Sequence, residues 1–185
     1  MTVLVVVDMQ NDFITGSLGT KEAQAIVPNV KKKVEEAVKN GDLIIYTRDT
    51  HFEDYLNRRE GQKLPVEHCI TGTHGWRIPD ELLPHGDYEK YVILDKFTFG
   101  DMELPRQIRT LIKSHYGNIL VCEEIELVGL CTDICVVSNA LLLKAHFYDT
   151  YDISVDAACC AGVTPATHEA ALTTMQMCQI NVKRG

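Results

Sequence analysis

Long hydrophobic runs are missing from this 185-residue sequence. The apolar run nearest its start, Val3 to Val7, stops at Asp8. It is too short for the apolar region of a signal peptide and has no basic flank, and nothing later approaches the length of a membrane span. A cytoplasmic protein, away from any bilayer, is the expectation. Basic charge is also scarce: Lys and Arg number 18 against 26 Asp and Glu, a formal net charge of -8. The one basic cluster, Lys31-Lys32-Lys33, falls where the pattern reads as a solvated helix face. Neither nucleic acid nor an anionic membrane is therefore expected as a main partner. No internal repeat or low-complexity tract interrupts the chain. The seven cysteines, at 69, 122, 131, 135, 159, 160 and 178, are odd in number and lack framework spacing. They read as free thiols in a reducing compartment, most of them small core residues.

What is present is enough for one core. A chain of this length with 45% hydrophobic residues predicts a single domain over 1–185. Apolar runs that end in polar residues recur: Val3–Val7 before Asp8, Leu43–Thr47 before Asp49 and His51, and Tyr91–Leu94 before Asp95 and Lys96. Ile125–Val128 runs into Gly129, and shorter runs span Ile153–Val155 and Ile180–Val182. Between them lie helical patterns at Ala23–Asn40, closed by Gly41, at Pro105–His115, at Ile134–His146 and at Pro165–Met177. The third is apolar nearly all round, as a buried helix is. Strands alternating with helices predict a three-layer αβα fold around a mostly parallel six-stranded, doubly wound sheet.

In such sheets ligands bind beyond the carboxyl ends of the strands. Asp8, Asp49, His51, Lys96 and the loop to Cys135 each follow a strand directly, so they should meet on one rim. Thr132 and Asp133 are good N-cap types, which predicts that the buried helix begins just after them. Cys135 would then lie in a first turn whose free N–H groups and dipole favour a thiolate. A thiolate nucleophile needs a base and an electrostatic partner. Asp8 suits the first role and Lys96 the second, although each position alone also admits a surface residue. The stretch 50–89 breaks the alternation, as functional loops do, and carries His51, Glu60, His68, His74 and His85. Asp49 and His51, with Glu60 and His68, have the residue types of a mixed N/O site for Zn²⁺, Mn²⁺ or Fe²⁺. Spacing alone gives solvated loop residues half the weight or more.

The motifs in order are Val5-Val-Val-Asp8-Met-Gln10-Asn-Asp12-Phe13, Arg48-Asp49-Thr-His51, Glu60-Gly-Gln-Lys-Leu-Pro-Val-Glu-His68, Lys96-Phe-Thr-Phe99-Gly100, Gly129-Leu-Cys-Thr-Asp133-Ile-Cys135 and Ala161-Gly-Val-Thr. Taken together they resemble the isochorismatase-like cysteine hydrolases, and within them the nicotinamidase/pyrazinamidase group. The resemblance covers almost the whole chain. It implies a catalytic triad of Asp8, Lys96 and Cys135. It also implies a cis peptide between Leu130 and Cys131, with the backbone N–H groups of Cys131 and Cys135 as oxyanion hole. Asp49, His51, Glu60 and His68 fall on metal-ligand positions, in a loop insertion at about 49–89. One divalent ion is implied, Zn²⁺ foremost, with Mn²⁺ or Fe²⁺ as alternatives. Phe13, Gln10 and Leu130 fall at the substrate.

The implied reaction is hydrolysis of nicotinamide to nicotinate and ammonia through a thioester, by an enzyme acting on a small-molecule amide and able to self-associate as a homo-oligomer. Relatives also act on other small amides and ureido compounds, and the metal loop is what favours nicotinamide. Lys63-Leu64-Pro65 stands where some relatives place a Trp, which predicts a more aliphatic wall. Cys131 stands where many have Ala. A non-enzymatic metal or redox sensor using Cys131/Cys135 or Cys159/Cys160 is the reading from another class. Neither pair has dithiol spacing.

Overall fold

The β-branched start of the chain does form a strand, β1 (Thr2–Val7), and it lies near the middle of the sheet. The computed structural model describes residues 1–86 and 88–184. After β1 come α1 (Asn11–Ile14), α2 (Lys21–Asn40), β2 (Leu43–Asp49), α3 (Arg59–Lys63), β3 (Tyr91–Lys96), α4 (Leu104–Tyr116), β4 (Glu124–Leu130), α5 (Val137–Phe147), β5 (Asp152–Ala161), α6 (Pro165–Met177) and β6 (Asn181–Lys183). Among the described residues the sheet has six strands, in the order β3-β2-β1-β4-β5-β6. All five pairings are parallel, so the sheet is uniform rather than mostly parallel. Strand order reverses direction at β1, with β2 on one side and β4 on the other. That is the switch point at which doubly wound sheets bind ligands.

Alternation along each strand builds two cores. Val3, Val5 and Val7 face one side, where they meet Ile108 and Ile112 of α4, Ala140 and Leu143 of α5, and Leu172 and Met175 of α6. Leu4 and Val6 face the other, against Ile26, Val30 and Val34 of α2. This is the three-layer arrangement. Helix α2 starts at Thr20, whose hydroxyl accepts a hydrogen bond from Ala23 N at 3.0 Å, and stops at Gly41 in the left-handed conformation. Among the described residues, no helix is long and apolar enough to cross a membrane.

Two expectations change. Strand β5 runs on to Ala161, well past Val155, because its register against β4 jumps between Leu127 and Gly129. The irregular stretch carries Asp156, whose carboxylate binds Lys33 of α2 at 2.8 Å, and a polar residue there hides the strand from a hydrophobicity reading. The larger change is at Thr132 and Asp133. They are not N-caps: Thr132–Val136 forms one wide π-type turn that runs into α5, with Cys131 at the cap position and no side-chain cap.

Candidate active site

Four neighbouring strand ends supply the site. Asp8 follows β1 with φ 47°, a left-handed conformation that Asp tolerates better than most residues. Asp49 ends β2 in register with Lys96 of β3. Gly129 of β4 pairs with Val7, and any Cβ there would run into the Val7 carbonyl. With φ 114° as well, this position requires glycine. The close approach brings the loop after β4 against Asp8. The Leu130–Cys131 peptide is cis.

Lys96 Nζ lies 2.7 Å from Asp8 Oδ2, 3.5 Å from Cys135 Sγ and 3.4 Å from Asp49 Oδ1, so one cation touches three acidic groups. Neither the Asp8 nor the Lys96 side chain has any exposure to solvent. Thr47 Oγ1 donates to Asp8 Oδ1 at 2.7 Å and fixes the carboxylate. Burial raises the Asp8 pKa and the Lys96 cation pulls it back without cancelling the rise. Burial alone would lower Lys96, but Asp8, Cys135 and Asp49 outweigh it and the ammonium stays charged. Burial, then Asp8, push the Cys135 thiol well above its ordinary value. Cys135 is thus a thiol at rest, with the Asp8 side chain beside it. The thiolate that the helix-start reading expected is disfavoured, because burial of the sulfur and the neighbouring Asp8 both oppose the charged form.

The π-type turn is tied down on three sides. Thr132 Oγ1 pairs with His168 Nδ1 of α6 at 2.8 Å. Both Asp133 carboxylate oxygens accept from Val163 N at 3.1 Å. Asn139, fully buried, donates to the Cys135 carbonyl at 2.8 Å and the Phe99 carbonyl at 3.2 Å, and accepts from Asp101 N at 2.9 Å. It pins the Cys135 turn to the loop after Lys96. Nothing in its helical spacing singled it out.

The second cluster is Asp49, His51, Glu60 and His68, one ligand atom of each lying within 4.8 Å of all the others. His51 Nε2 and His68 Nε2 are 3.0 and 3.6 Å from Asp49 Oδ2, and 3.7 and 4.0 Å from Glu60 Oε1. His68 Nδ1 is 2.8 Å from the Val66 carbonyl, which leaves Nε2 for the cluster, the usual second contact of a metal-bound imidazole. Burial would raise Asp49, but His51, His68 and Lys96 hold it far below the carboxylate range. Two imidazoles and two carboxylates converging at this range fit a divalent ion. His74 and His85 are exposed and outside the cluster.

Gln10, expected at the substrate, lies behind the cluster instead. It donates to the carbonyls of Asp49 and Trp76 at 2.9 and 2.8 Å, and accepts from Asp49 N at 2.7 Å, so its amide is spent on the backbone. Asp12 plays a similar part: its Oδ2 accepts from Cys69 N at 2.7 Å, next to His68. The start of the chain thus braces the loop.

Both clusters open into one cavity of about 520 Å³, whose lining includes Phe13, Asp49, Glu60, His68, Leu130, Cys131 and Cys135. Phe13 packs against the His68 ring at 5.6 Å between centroids. Leu18, Leu64, Ile134 and Val163 give the aliphatic wall, while Trp76 turns away, its indole N–H on Thr50 Oγ1 at 2.9 Å.

A family model described as the isochorismatase domain matches residues 2–183. The chain belongs to the isochorismatase family. It is a hydrolase of that family. The nicotinamidase of Saccharomyces cerevisiae is 24% identical over 183 residues, covering 81% of this chain and 84% of the relative. The pyrazinamidase of Pyrococcus horikoshii, solved in complex with zinc, is 26% identical with a TM-score of 0.81, over 100% of this chain and 99% of that one. The N-carbamoylsarcosine amidase of Thermoplasma acidophilum, also 26% identical, has a TM-score of 0.74 over 99% and 95%.

Proposed function

We propose that this isochorismatase-family chain is a metal-assisted cysteine amidase that hydrolyses nicotinamide to nicotinate and ammonia. The observation that carries this reading is the juxtaposition in one cavity of a buried Asp8–Lys96–Cys135 cluster and the Asp49, His51, Glu60, His68 group. A thiol held protonated beside a carboxylate is ready to react only when that carboxylate takes its proton. The likeness to a nicotinamidase and to a zinc-bound pyrazinamidase supports the choice of substrate and of Zn²⁺.

In this mechanism Asp8 removes the Cys135 proton as Sγ attacks the carboxamide carbon. Lys96 stabilises the charge on Asp8 and on sulfur. The backbone N–H groups of Cys131 and Cys135 receive the oxyanion. Asp8 then passes its proton to the amide nitrogen, ammonia leaves, and a thioester remains. Water gives a proton to Asp8 and attacks the thioester carbon. The C–S bond breaks, nicotinate departs, and the thiol recovers its proton. An ion held by Asp49, His51, Glu60 and His68 would supply a Lewis-acid anchor for the pyridine nitrogen. Phe13 and Leu130 line the ring's place.

Ammonia release over a panel of nicotinamide, pyrazinamide and ureido compounds tests the reading. Release from nicotinamide by the metal-loaded enzyme, and none from Cys135→Ala, is expected. Release from ureido compounds alone would instead favour the second reading, a cysteine hydrolase of another small amide, which the aliphatic wall and the likeness to N-carbamoylsarcosine amidase favour.

A further inference from the structure

One edge of the cavity has no role in the chemistry above. Helix α3 contributes Arg59, Glu60 and Lys63 to the lining, and Glu60 ties the helix to the His51/His68 cluster. Arg59 and Lys63 are one helical turn apart, so their side chains share a face. Both are exposed, and among the described residues neither makes an ion pair, whereas the adjacent Arg58 is paired with Asp54 at 2.6 Å. Apart from Asp49, Glu60 and His68 of the cluster the lining is mostly apolar, and in a chain with a net charge of -8 Arg59 and Lys63 add two unpaired cations at its lip.

Size points the same way. Nicotinamide has nine heavy atoms; allowed even the liquid volume of a water for each, about 30 Å³, it would need about 270 Å³. That is roughly half of the cavity of about 520 Å³. The remainder is bounded by the aliphatic side chains of Leu18, Leu64 and Val163, with the two cations at the edge.

We infer that the cavity is built for a pyridine carboxamide that carries, on a short apolar arm from a ring carbon, an anionic group, carboxylate or phosphate in type, held by Arg59 and Lys63. The inference rests on the amidase reading for the position of the carboxamide. Guanidinium and ammonium together match an oxyanion in geometry and charge, and an apolar arm crosses the aliphatic wall without leaving a polar group unpaired.

The test is calorimetric binding to metal-loaded Cys135→Ala protein, with Cys135→Ser as the alternative if the first does not fold. The probes are nicotinamide with a carboxymethyl arm, its phosphonomethyl analogue and the neutral methyl ester of the first. At least one acid should bind about ten-fold or more tightly than the ester, as hydrogen bonds to charged groups allow. The preference should shrink as salt is raised. It should fall to about two-fold or less when Arg59→Gln and Lys63→Gln are added. The stronger of the two acids identifies the anion. Equal binding of ester and acids, or a preference that survives removal of both cations, overturns the inference. Ammonia release by the intact enzyme is a separate readout: tight acid binding without turnover of any probe keeps the anion edge and defeats the amidase reading, whereas turnover without an acid preference does the reverse.

Discussion

Replacing Lys96 with Met keeps the length of the side chain and removes the charge that lies 2.7 Å from Asp8 Oδ2, in a place with no solvent on either partner. Breaking a buried pair in this way costs about 3–5 kcal/mol because the remaining charge is uncompensated. Asp8 has an escape, since it can bind a proton. With an unfolded-state pKa of about 3.9, holding it neutral in the fold costs at most about 4 kcal/mol at pH 7, and under about 1 kcal/mol at pH 4.5. The sign follows from the direction of the shift: a carboxyl raised in the fold leaves stability intact below its unfolded value and loses it as pH rises. The variant should therefore be about 3–4 kcal/mol less stable than the parent at neutral pH, with the gap closing toward pH 4.5. Urea unfolding of both proteins at several pH values, at one free metal concentration, measures this gap directly. Adding Asp8→Asn to Lys96→Met should recover most of the loss, as expected of two coupled sites. A protonated Asp8 cannot accept the thiol proton, so amide hydrolysis in Lys96→Met should fall about 10²–10⁴-fold. A stability gap that is flat with pH, or that Asp8→Asn does not reduce, would refute the ion-pair account.

Three further outcomes are expected. Because burial and Asp8 raise the Cys135 thiol well above its ordinary value, iodoacetamide should label this residue slowly at pH 7 and faster as pH rises past 9. Rapid labelling at neutral pH, located by peptide mass spectrometry, would restore the preformed thiolate. Chelation should remove hydrolysis of nicotinamide and lower the melting temperature, and re-added Zn²⁺ should restore both; full activity in metal-free protein would take Asp49, His51, Glu60 and His68 out of the reaction. Asn139→Leu keeps the volume but leaves the Cys135 and Phe99 carbonyls and Asp101 N without their partner, at a cost of about 1–3 kcal/mol. Its kcat should drop more than its KM, because the turn and the Lys96 loop are no longer held together; equal changes in both, or none, would leave Asn139 a packing residue only.

Much of this was legible before any coordinates. Apolar runs marked all six strands, and the strand-end rule drew Asp8, Asp49, Lys96 and Cys135 toward one rim, where they lie. Residue type and local order suffice there because a parallel sheet fixes which end of each strand faces the crevice. The sequence also contained the four cluster residues, although its spacing left solvated loop residues open, since the convergence of Glu60 with His51 depends on how residues 51–71 fold back: His51 N reaches the Cys69 carbonyl at 3.0 Å, and Thr71 N the His51 carbonyl at 2.9 Å.

Other features were settled only by tertiary contact. Gln10 looked like a substrate residue by its place in the motif, but three hydrogen bonds to the backbone of Asp49 and Trp76 make it a brace. The cap types Thr132 and Asp133 found partners outside their own helix, His168 and Val163, so the turn widened instead of starting at them. The protonation of Cys135 is of the same kind. A sequence determines which side chains can ionise and along which strand they come; whether burial or a neighbouring charge wins is set by distances between strands far apart in the chain, and these exist only in the folded molecule.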